Sequence, residues 1–256
     1  MSHRKDWANA LVQWAIPEEI LASAQTSPWI HPPVLFQIPD EINLTISHSR
    51  ASEALVEGGA VLDVGCGGGI AAFATPAAHV IGVDHQSEML VMFAENAKVR
   101  NVSCEVYEGF WPEIATQVPR ADVVVCHHVV YNVADIGPFL QELNSHAKSR
   151  VVIEMPTQHP LTNMSGAWKH FWNLERPTQP TSVDLIKVLK EIGIDAHIEC
   201  WTGPLRDRID LEQDSEFMRI RLCLPPERLP EVRQYLIEQP QPRAREIATI
   251  WWDVNA

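Results

Sequence analysis

Residues equipped for chemistry cluster at four places in this chain of 256. The first is Val61-Leu62-Asp63-Val64-Gly65-Cys66-Gly67-Gly68-Gly69-Ile70, an aliphatic run that ends at an acid and passes into glycines. Glycine is needed where the chain turns with positive φ, or where backbone must touch a ligand with no Cβ between them. This stretch predicts a buried strand and a turn that cradles a nucleoside-containing ligand, with turn N–H groups aimed at an anion where the next helix begins. The second place is Asp84, with His85 beside it, closing Val80-Ile81-Gly82-Val83. It stands roughly 20 residues beyond the turn, the offset of an acid that accepts both ribose hydroxyls. The third is Glu108-Gly109-Phe110-Trp111. The fourth, Cys126-His127-His128-Val129-Val130-Tyr131-Asn132, gathers two imidazoles, a phenol and an amide. His128 and Tyr131 are candidates to deprotonate or orient a substrate, with Asn132 beside them. His127-His128 does not read as a metal site, because neighbours on a strand point oppositely and no third ligand has a suitable spacing. His159 and His170 belong to a looser segment, 157–180, that either folds over the substrate pocket or leaves them as solvated loop histidines, the reading preferred.

The elements that must hold these residues alternate. Strands are expected at Val61–Val64, Val80–Asp84, Val102–Tyr107, Asp122–Cys126, Val151–Ile153, Ile194–Trp201 and Ala248–Trp252. Between them lie helical patterns, one with Leu90, Phe93, Ala94 and Ala97 on a face, another with Leu185, Leu189 and Ile192. Strand–helix alternation implies crossover connections and a parallel sheet covered on both faces, an α/β fold of doubly wound type. The carboxyl ends of its strands, where ligands bind in open α/β sheets, carry all four clusters and also Glu154–His159. A Pro- and Trp-rich arm precedes this unit over residues 1–46, beginning with a helix at 5–16 that puts Trp7, Leu11 and Trp14 on one face. The arm is a candidate lid or a packing element. A helix from about Ser47 to Glu57 stops at Gly58-Gly59. Two segments interrupt the alternation, at about 157–180 and 205–242. In the first, Trp168 and Trp172 share a helical face and read as core, with stacking on a flat substrate as the alternative.

Composition bounds the partners. The formal net charge is -13, with 46% hydrophobic and 21% charged residues, so the chain is globular and acidic. An acidic surface repels phosphate backbones and disfavours nucleic acid. Arginines gather between Arg206 and Arg245, but acids are interleaved, as on a mixed solvated face. The 5 cysteines lack a C-x-x-C spacing, which argues against a disulfide framework and a structural zinc site. No secretory leader stands at the N-terminus, and no stretch reaches the ~20 apolar residues of a membrane span. A cytoplasmic protein is the expectation.

The dinucleotide fingerprint G-x-G-x-x-G, counted from Gly65, fails at Ile70. What stands instead is Asp-x-Gly-x-Gly-x-Gly from Asp63 to Gly69, which resembles the first motif of class I S-adenosylmethionine (SAM)-dependent methyltransferases. Asp84 matches the acid that ends the family's second strand, Glu108–Trp111 falls where the family contacts adenine, and Ala121–Val133 matches its fourth-strand motif and following turn. The resemblance covers about residues 48–155. It implies a Rossmann-like sheet of seven strands with the last antiparallel, and residues 205–242 as a helical insertion before that strand. It also implies SAM as cofactor, held by Asp63, Gly65, Cys66, Gly67, Gly69, Asp84, His85, Glu108, Gly109, Phe110 and Trp111. Backbone carbonyls at Cys126 or His127 would take its ammonium group. Phe110 departs from the family pattern, standing where many members carry an acid for the adenine amine. The Cys126-His127-His128-Val129 turn differs from the Asn/Asp-Pro-Pro-aromatic motif of base-amine methylation, and it lacks the acids of metal-dependent catechol-type methylation. A small-molecule acceptor is the first expectation. A SAM-binding regulator without catalysis and a protein or RNA methyltransferase are the alternatives, while a nicotinamide oxidoreductase is disfavoured by Ile70.

Overall fold

The structure is a computed structural model that describes residues 2–29, 36–204, 210–239 and 244–254. Ile30 to Pro33, within the irregular Pro-rich arm, and Arg206, Arg208 and Arg243 lie outside the described residues.

Seven strands form one sheet in the order β3-β2-β1-β4-β5-β7-β6. They are β1 (Ala60–Val64), β2 (His79–Asp84), β3 (Ser103–Glu108), β4 (Ala121–His127), β5 (Ala147–Pro156), β6 (His197–Thr202) and β7 (Glu246–Asp253). The pairs β1–β2, β2–β3, β1–β4 and β4–β5 are parallel, whereas β7 runs antiparallel to both β5 and β6. The strand order reverses between β1 and β4, the switch point at which open α/β sheets bind ligands, and the glycine turn begins there, at the carboxyl end of β1. The central strands read as unbroken aliphatic runs, as burial on both faces demands. Val123, Val124, Val125, Val151, Val152 and Ile153 have no exposed surface.

Helices cover both faces. On one, α3 (Ile46–Ala54), α4 (Ile70–Phe73) and α5 (Ser87–Val99) enclose a cluster around Phe93, Leu90, Val61 and Val80. On the other, α1 (His3–Val12), α6 (Ile136–His146) and α8 (Ser182–Glu191) enclose the larger core, with Trp7, Phe139, Leu140, Leu143, Leu185 and Leu189. A third cluster gathers Ile16 and Ile20 of the arm with Trp168, Phe171, Leu222, Val232 and Leu236. It joins α2 (Glu18–Leu21), α7 (Ser165–Trp172), α9 (Leu211–Arg221) and α10 (Leu229–Glu238) into a helical cap. Among the described residues no helix is long and apolar enough to cross a membrane.

Several expectations shift. The first helix ends at Val12, not near residue 16, yet Trp7 and Trp14 are both buried as the shared face predicts. The helix expected to reach Glu57 closes at Ala54, and Thr45 opens it with a capping box whose third residue is His48. The segment at 157–180 contains α7, in which Trp168 is buried and Trp172 donates to the Leu222 carbonyl at 2.7 Å. The reading of a solvated arginine face fails at Arg219 and Arg221, both buried in the cap. Arg219 is satisfied by the Glu216 carboxylate and the Leu224 carbonyl.

Candidate active site

The glycine turn is bent back on the end of β2. Gly65 and Cys66 N–H groups both donate to the Val83 carbonyl, at 2.8 and 3.0 Å, and Gly69 N–H donates to the Cys66 carbonyl at 2.7 Å. Gly67 N–H donates to the Asp84 carboxylate at 3.0 Å. These internal bonds correct the expectation of a free set of N–H donors for an anion, and α4 is a single short turn. What the turn offers is backbone without Cβ atoms. Gly65 has φ +73, and a Cβ there would lie 2.4 Å from Val129. At Gly68 a Cβ would lie 2.1 Å from the Phe36 carbonyl, because the arm crosses directly over the turn. Asp63 is buried beneath this surface and accepts the Ala72 N–H at 3.3 Å, so it fixes the start of α4 from inside. Burial, with a small contribution from the nearby Asp84 charge, pushes its carboxyl pKa well up.

Asp84 organises the next wall. Its two carboxylate oxygens accept separately, Oδ2 from Gly67 and Oδ1 from the Gln86 N–H at 3.0 Å, while its carbonyl accepts from Gly109. Each carboxylate oxygen keeps a further lone pair, so the acid can fix the turn and still receive two hydroxyls. His85 stacks on the exposed Phe110 ring at 4.8 Å and 21°, placing two flat faces beyond the ends of β2 and β3. Glu108 is exposed at the same edge. Trp111 turns away, buried with its indole N–H directed at the Phe139 carbonyl at 3.3 Å and its ring edge-on to His146. A Cβ-free turn, an acid with spare acceptor capacity and two exposed aromatic faces fit an adenosine-bearing cofactor.

The turn after β4 holds the third group. His127 ends the strand, but His128 leaves it with φ 61, a left-handed conformation uncommon for a residue with a Cβ. Its N–H donates to the Glu154 carbonyl at 2.7 Å, and its Nε2 lies 3.1 Å from Glu154 Oε1. The other carboxylate oxygen accepts from Thr45 Oγ1 at 2.9 Å. Burial alone would raise the Glu154 pKa. The His128 hydrogen bond, the neighbouring His127 and His128 charges and Ser47 outweigh it and hold the carboxyl far below its usual range. The two imidazoles therefore do not diverge as strand neighbours should, because the left-handed step at His128 brings its ring to the same acid. His127 stacks against His48 at 5.4 Å and its Nε2 is buried without a partner. Burial drives its pKa from 6.5 to about 3, against the pull of Glu154.

His127 makes the fold sensitive to acid. Between its ordinary pKa and about 3 the unfolded chain takes a proton that the folded chain refuses. Stability should therefore decline as pH falls through that window. Urea unfolding at stepped pH should show a shallower decline in His127→Asn; an unchanged slope would remove His127 as the cause.

Tyr131 and Asn132 occupy a short helical turn, Val130–Asn132, with Tyr131 half-buried and Asn132 exposed. Cys126 is fully buried at the strand end. His159 corrects the solvated-loop reading. It is 5% exposed, stacks on Trp14 at 4.1 Å and stands edge-on to Tyr131 at 5.8 Å. Burial lowers its pKa to about 4. His170 is exposed, near the Tyr235 ring at 4.9 Å. The structure thus unites the glycine turn, Asp84, His85 and Phe110 along one edge, and His128, Tyr131 and Asn132 in the adjacent turn. Glu154, Thr45, Phe36 and Trp14 join them. Glu154 is among the strand-end residues the sequence points to, without a role there, whereas nothing local pointed to Thr45 or Phe36.

Residues 55–201 match the family described as methyltransferase domain. The chain belongs to that family, and its sheet order and antiparallel β7 are those of the class I SAM-dependent methyltransferases. It is 31% identical over 131 residues to a ubiquinone biosynthesis O-methyltransferase from Azorhizobium caulinodans, a match covering 50% of this chain and 51% of that protein. The chain therefore spans about half the length of that curated relative. Among solved structures, the YcgJ protein from Bacillus subtilis superposes with a TM-score of 0.56 at 16% identity, covering 82% of this chain and 98% of that one. A putative methyltransferase from Bacillus halodurans gives a TM-score of 0.54 at 16% identity, covering 82% and 99%. These two likenesses concern the fold.

Proposed function

We propose that the protein transfers the methyl group of SAM to a hydroxyl of a small molecule, with His128 as proton acceptor. The observation that carries this reading is the pairing of His128 Nε2 with the buried Glu154 carboxylate at 3.1 Å, in a turn beside the glycine-lined crevice. A carboxylate on one ring nitrogen fixes the tautomer and leaves Nδ1 as the acceptor. It also stabilises the imidazolium formed when a proton arrives. A SAM-binding regulator has no use for such a pair. When bound, SAM supplies a methyl group already activated on a sulfonium, so the protein's task is alignment and exclusion of water. Gly65, Gly67 and Gly69, with Cys66 between them, give it a floor in which only Cys66 carries a Cβ. Asp84 receives the ribose hydroxyls, His85, Glu108, Gly109 and Phe110 border the adenine, and the Cys126 or His127 carbonyl takes the ammonium group. Tyr131 and Asn132 orient the acceptor. Residues 1–46 serve as the lid, anchored by α1, with Phe36 lying on the turn. A small acceptor is favoured over nucleic acid by the net charge of -13. A hydroxyl is supported by the likeness to an O-methyltransferase.

Calorimetry with SAM, S-adenosylhomocysteine (SAH) and NAD tests the cofactor, and binding of NAD alone would overturn the reading. Asp84→Ala should weaken SAH binding by about 1–3 kcal/mol through lost charge-assisted hydrogen bonds; undiminished affinity would exclude Asp84 from the ribose site. A SAM-dependent methylation screen over hydroxylated metabolites separates an enzyme from a regulator.

A further inference from the structure

Thr45 closes the arm, opens α3 and touches the buried acid of the candidate site. Its hydroxyl is committed twice. It accepts the His48 N–H at 3.4 Å as the cap of α3, and it donates its one proton to Glu154 Oε2 at 2.9 Å. The Thr45 N–H in turn donates to His48 Nδ1 at 3.1 Å, so backbone and side chain of this residue are both fixed. In the same turn of α3, Ser47 Oγ lies 2.7 Å from Thr249 Oγ1, which accepts the Trp201 indole N–H at 3.0 Å. Thr249 is the β7 residue paired with Glu154 of β5. The first turn of α3 is therefore fastened to the sheet beside the acid. Glu154 divides its carboxylate between two donors: Oε2 meets Thr45, and Oε1 lies 3.1 Å from His128 Nε2. Holding both oxygens fixes the plane of the group. Without the Thr45 hydroxyl, Oε2 loses its donor on a side chain that is almost wholly buried. An unmade hydrogen bond at a buried charge is costly, so the carboxylate turns toward water or another donor. Its Oε1 then turns away from the imidazole.

We infer that Thr45 is a positioning residue: by holding one oxygen of Glu154 it aims the other at His128, so that the arm sets the proton acceptor of the site. The effect on rate rests on the reading of His128 as that acceptor, whereas the chain Thr45–Glu154–His128 does not. A carboxylate bonded to one imidazole nitrogen raises the basicity of the other. That gain lasts only while distance and angle stay within hydrogen-bond limits. Phe36, earlier in the same arm, lies over the glycine turn at Gly68. One segment thus touches both the glycine turn and the acid behind the base.

The test uses the full chain and two readouts. Diethyl pyrocarbonate, at alkaline pH and without substrate, carbethoxylates neutral imidazole nitrogens, and peptide mass spectrometry follows the rate at His128. Thr45→Val and Glu154→Gln should each slow that reaction several-fold, and Thr45→Ser should restore it. The exposed His85 and His170 should react as in the parent, and buried His48 should stay protected. In the methylation assay Thr45→Val should lower kcat about tenfold, with KM for the acceptor and SAH affinity kept. It should add nothing to the loss in Glu154→Gln, since both act through one imidazole. Where Thr45→Val fails to fold, Thr45→Gly carries the test, because glycine also serves as an N-cap. An unchanged rate at His128, a slowing that serine does not reverse, or release of His48 along with it would overturn the inference; the last is the mark of a helix end that merely unravels. So would an undiminished kcat in Thr45→Val where His128→Ala is impaired. If the reactivity of His128 follows Thr45 but methyl transfer survives His128→Ala, the assignment of the base fails and the positioning of the pair stands.

Discussion

His128→Ala should lower kcat by about 10²–10⁴-fold, the contribution of a positioned general base, while SAH affinity stays within error of the parent. The separation follows from geometry. His128 belongs to the turn after β4 and meets Glu154 of β5, whereas the residues proposed for ribose and adenine belong to the glycine turn and the ends of β2 and β3. Glu154→Gln keeps the volume and removes the charge that orients the imidazole and stabilises its protonated form. It should cost less than His128→Ala, and the two losses should not add, because both act through one proton transfer. Chemistry limited by this base should also make the rate rise with pH in the parent, and that rise should vanish in His128→Ala. Loss of activity with the pH dependence intact would assign the base elsewhere, to Tyr131 first. A fall confined to KM would make His128 an orienting group only.

How much of this was legible in the chain depends on the range of the interaction. Strand identity was legible because runs such as Val123-Val124-Val125 carry their burial in their own composition, and the sheet's two faces followed from their alternation with helices. The edges moved where tertiary pairing extends a strand beyond its aliphatic run. β5 starts at Ala147 because β4 offers a partner from Ala121 onward. The glycine turn was readable as a Cβ-free surface, but the assignment of its N–H groups was not. Whether Gly65, Cys66 and Gly67 point to a ligand or to Val83 and Asp84 depends on how far the turn folds back over β2. The two histidines were visible as neighbours and Glu154 as a strand-end acid, yet the pairing of His128 with Glu154 was not. Strand alternation sends neighbours apart, and only the left-handed backbone at His128 cancels it. Contacts across long sequence separation, such as Thr45 to Glu154 and Trp14 to His159, leave no periodic mark in either partner. His159 was misread for that reason: in a Pro-rich segment nothing local signals a stacking partner from the arm.

Trp7→Ala should cost about 3–5 kcal/mol of folding free energy, the penalty for removing a large fully buried aromatic. Trp7 is 1% exposed within the main core, and its indole N–H donates to the Val133 carbonyl at 2.9 Å. The helix that carries it is also fastened at the end of α8, where Glu191 accepts from Arg4 Nε and Ser2 Oγ, each at 3.0 Å. Exposed attachments of that kind contribute little, so the docking of α1 depends chiefly on Trp7. Trp7→Phe separates packing from hydrogen bonding: it retains most of the ring and should lose mainly the N–H bond, about 1 kcal/mol. Val12, 64% exposed on the same helix, provides the control. Val12→Ala should stay within roughly 0.5 kcal/mol of the parent. Urea unfolding of the three variants decides the matter. If Trp7→Ala matches the control, α1 is a detachable arm and the site does not depend on it. If the large loss appears, the effect should reach the chemistry as well. Val133 immediately follows the turn bearing Tyr131 and Asn132, so freeing its carbonyl loosens the segment that presents the acceptor. The Trp7→Ala variant, assayed below its melting range, should then show a raised KM for the acceptor with SAH affinity kept.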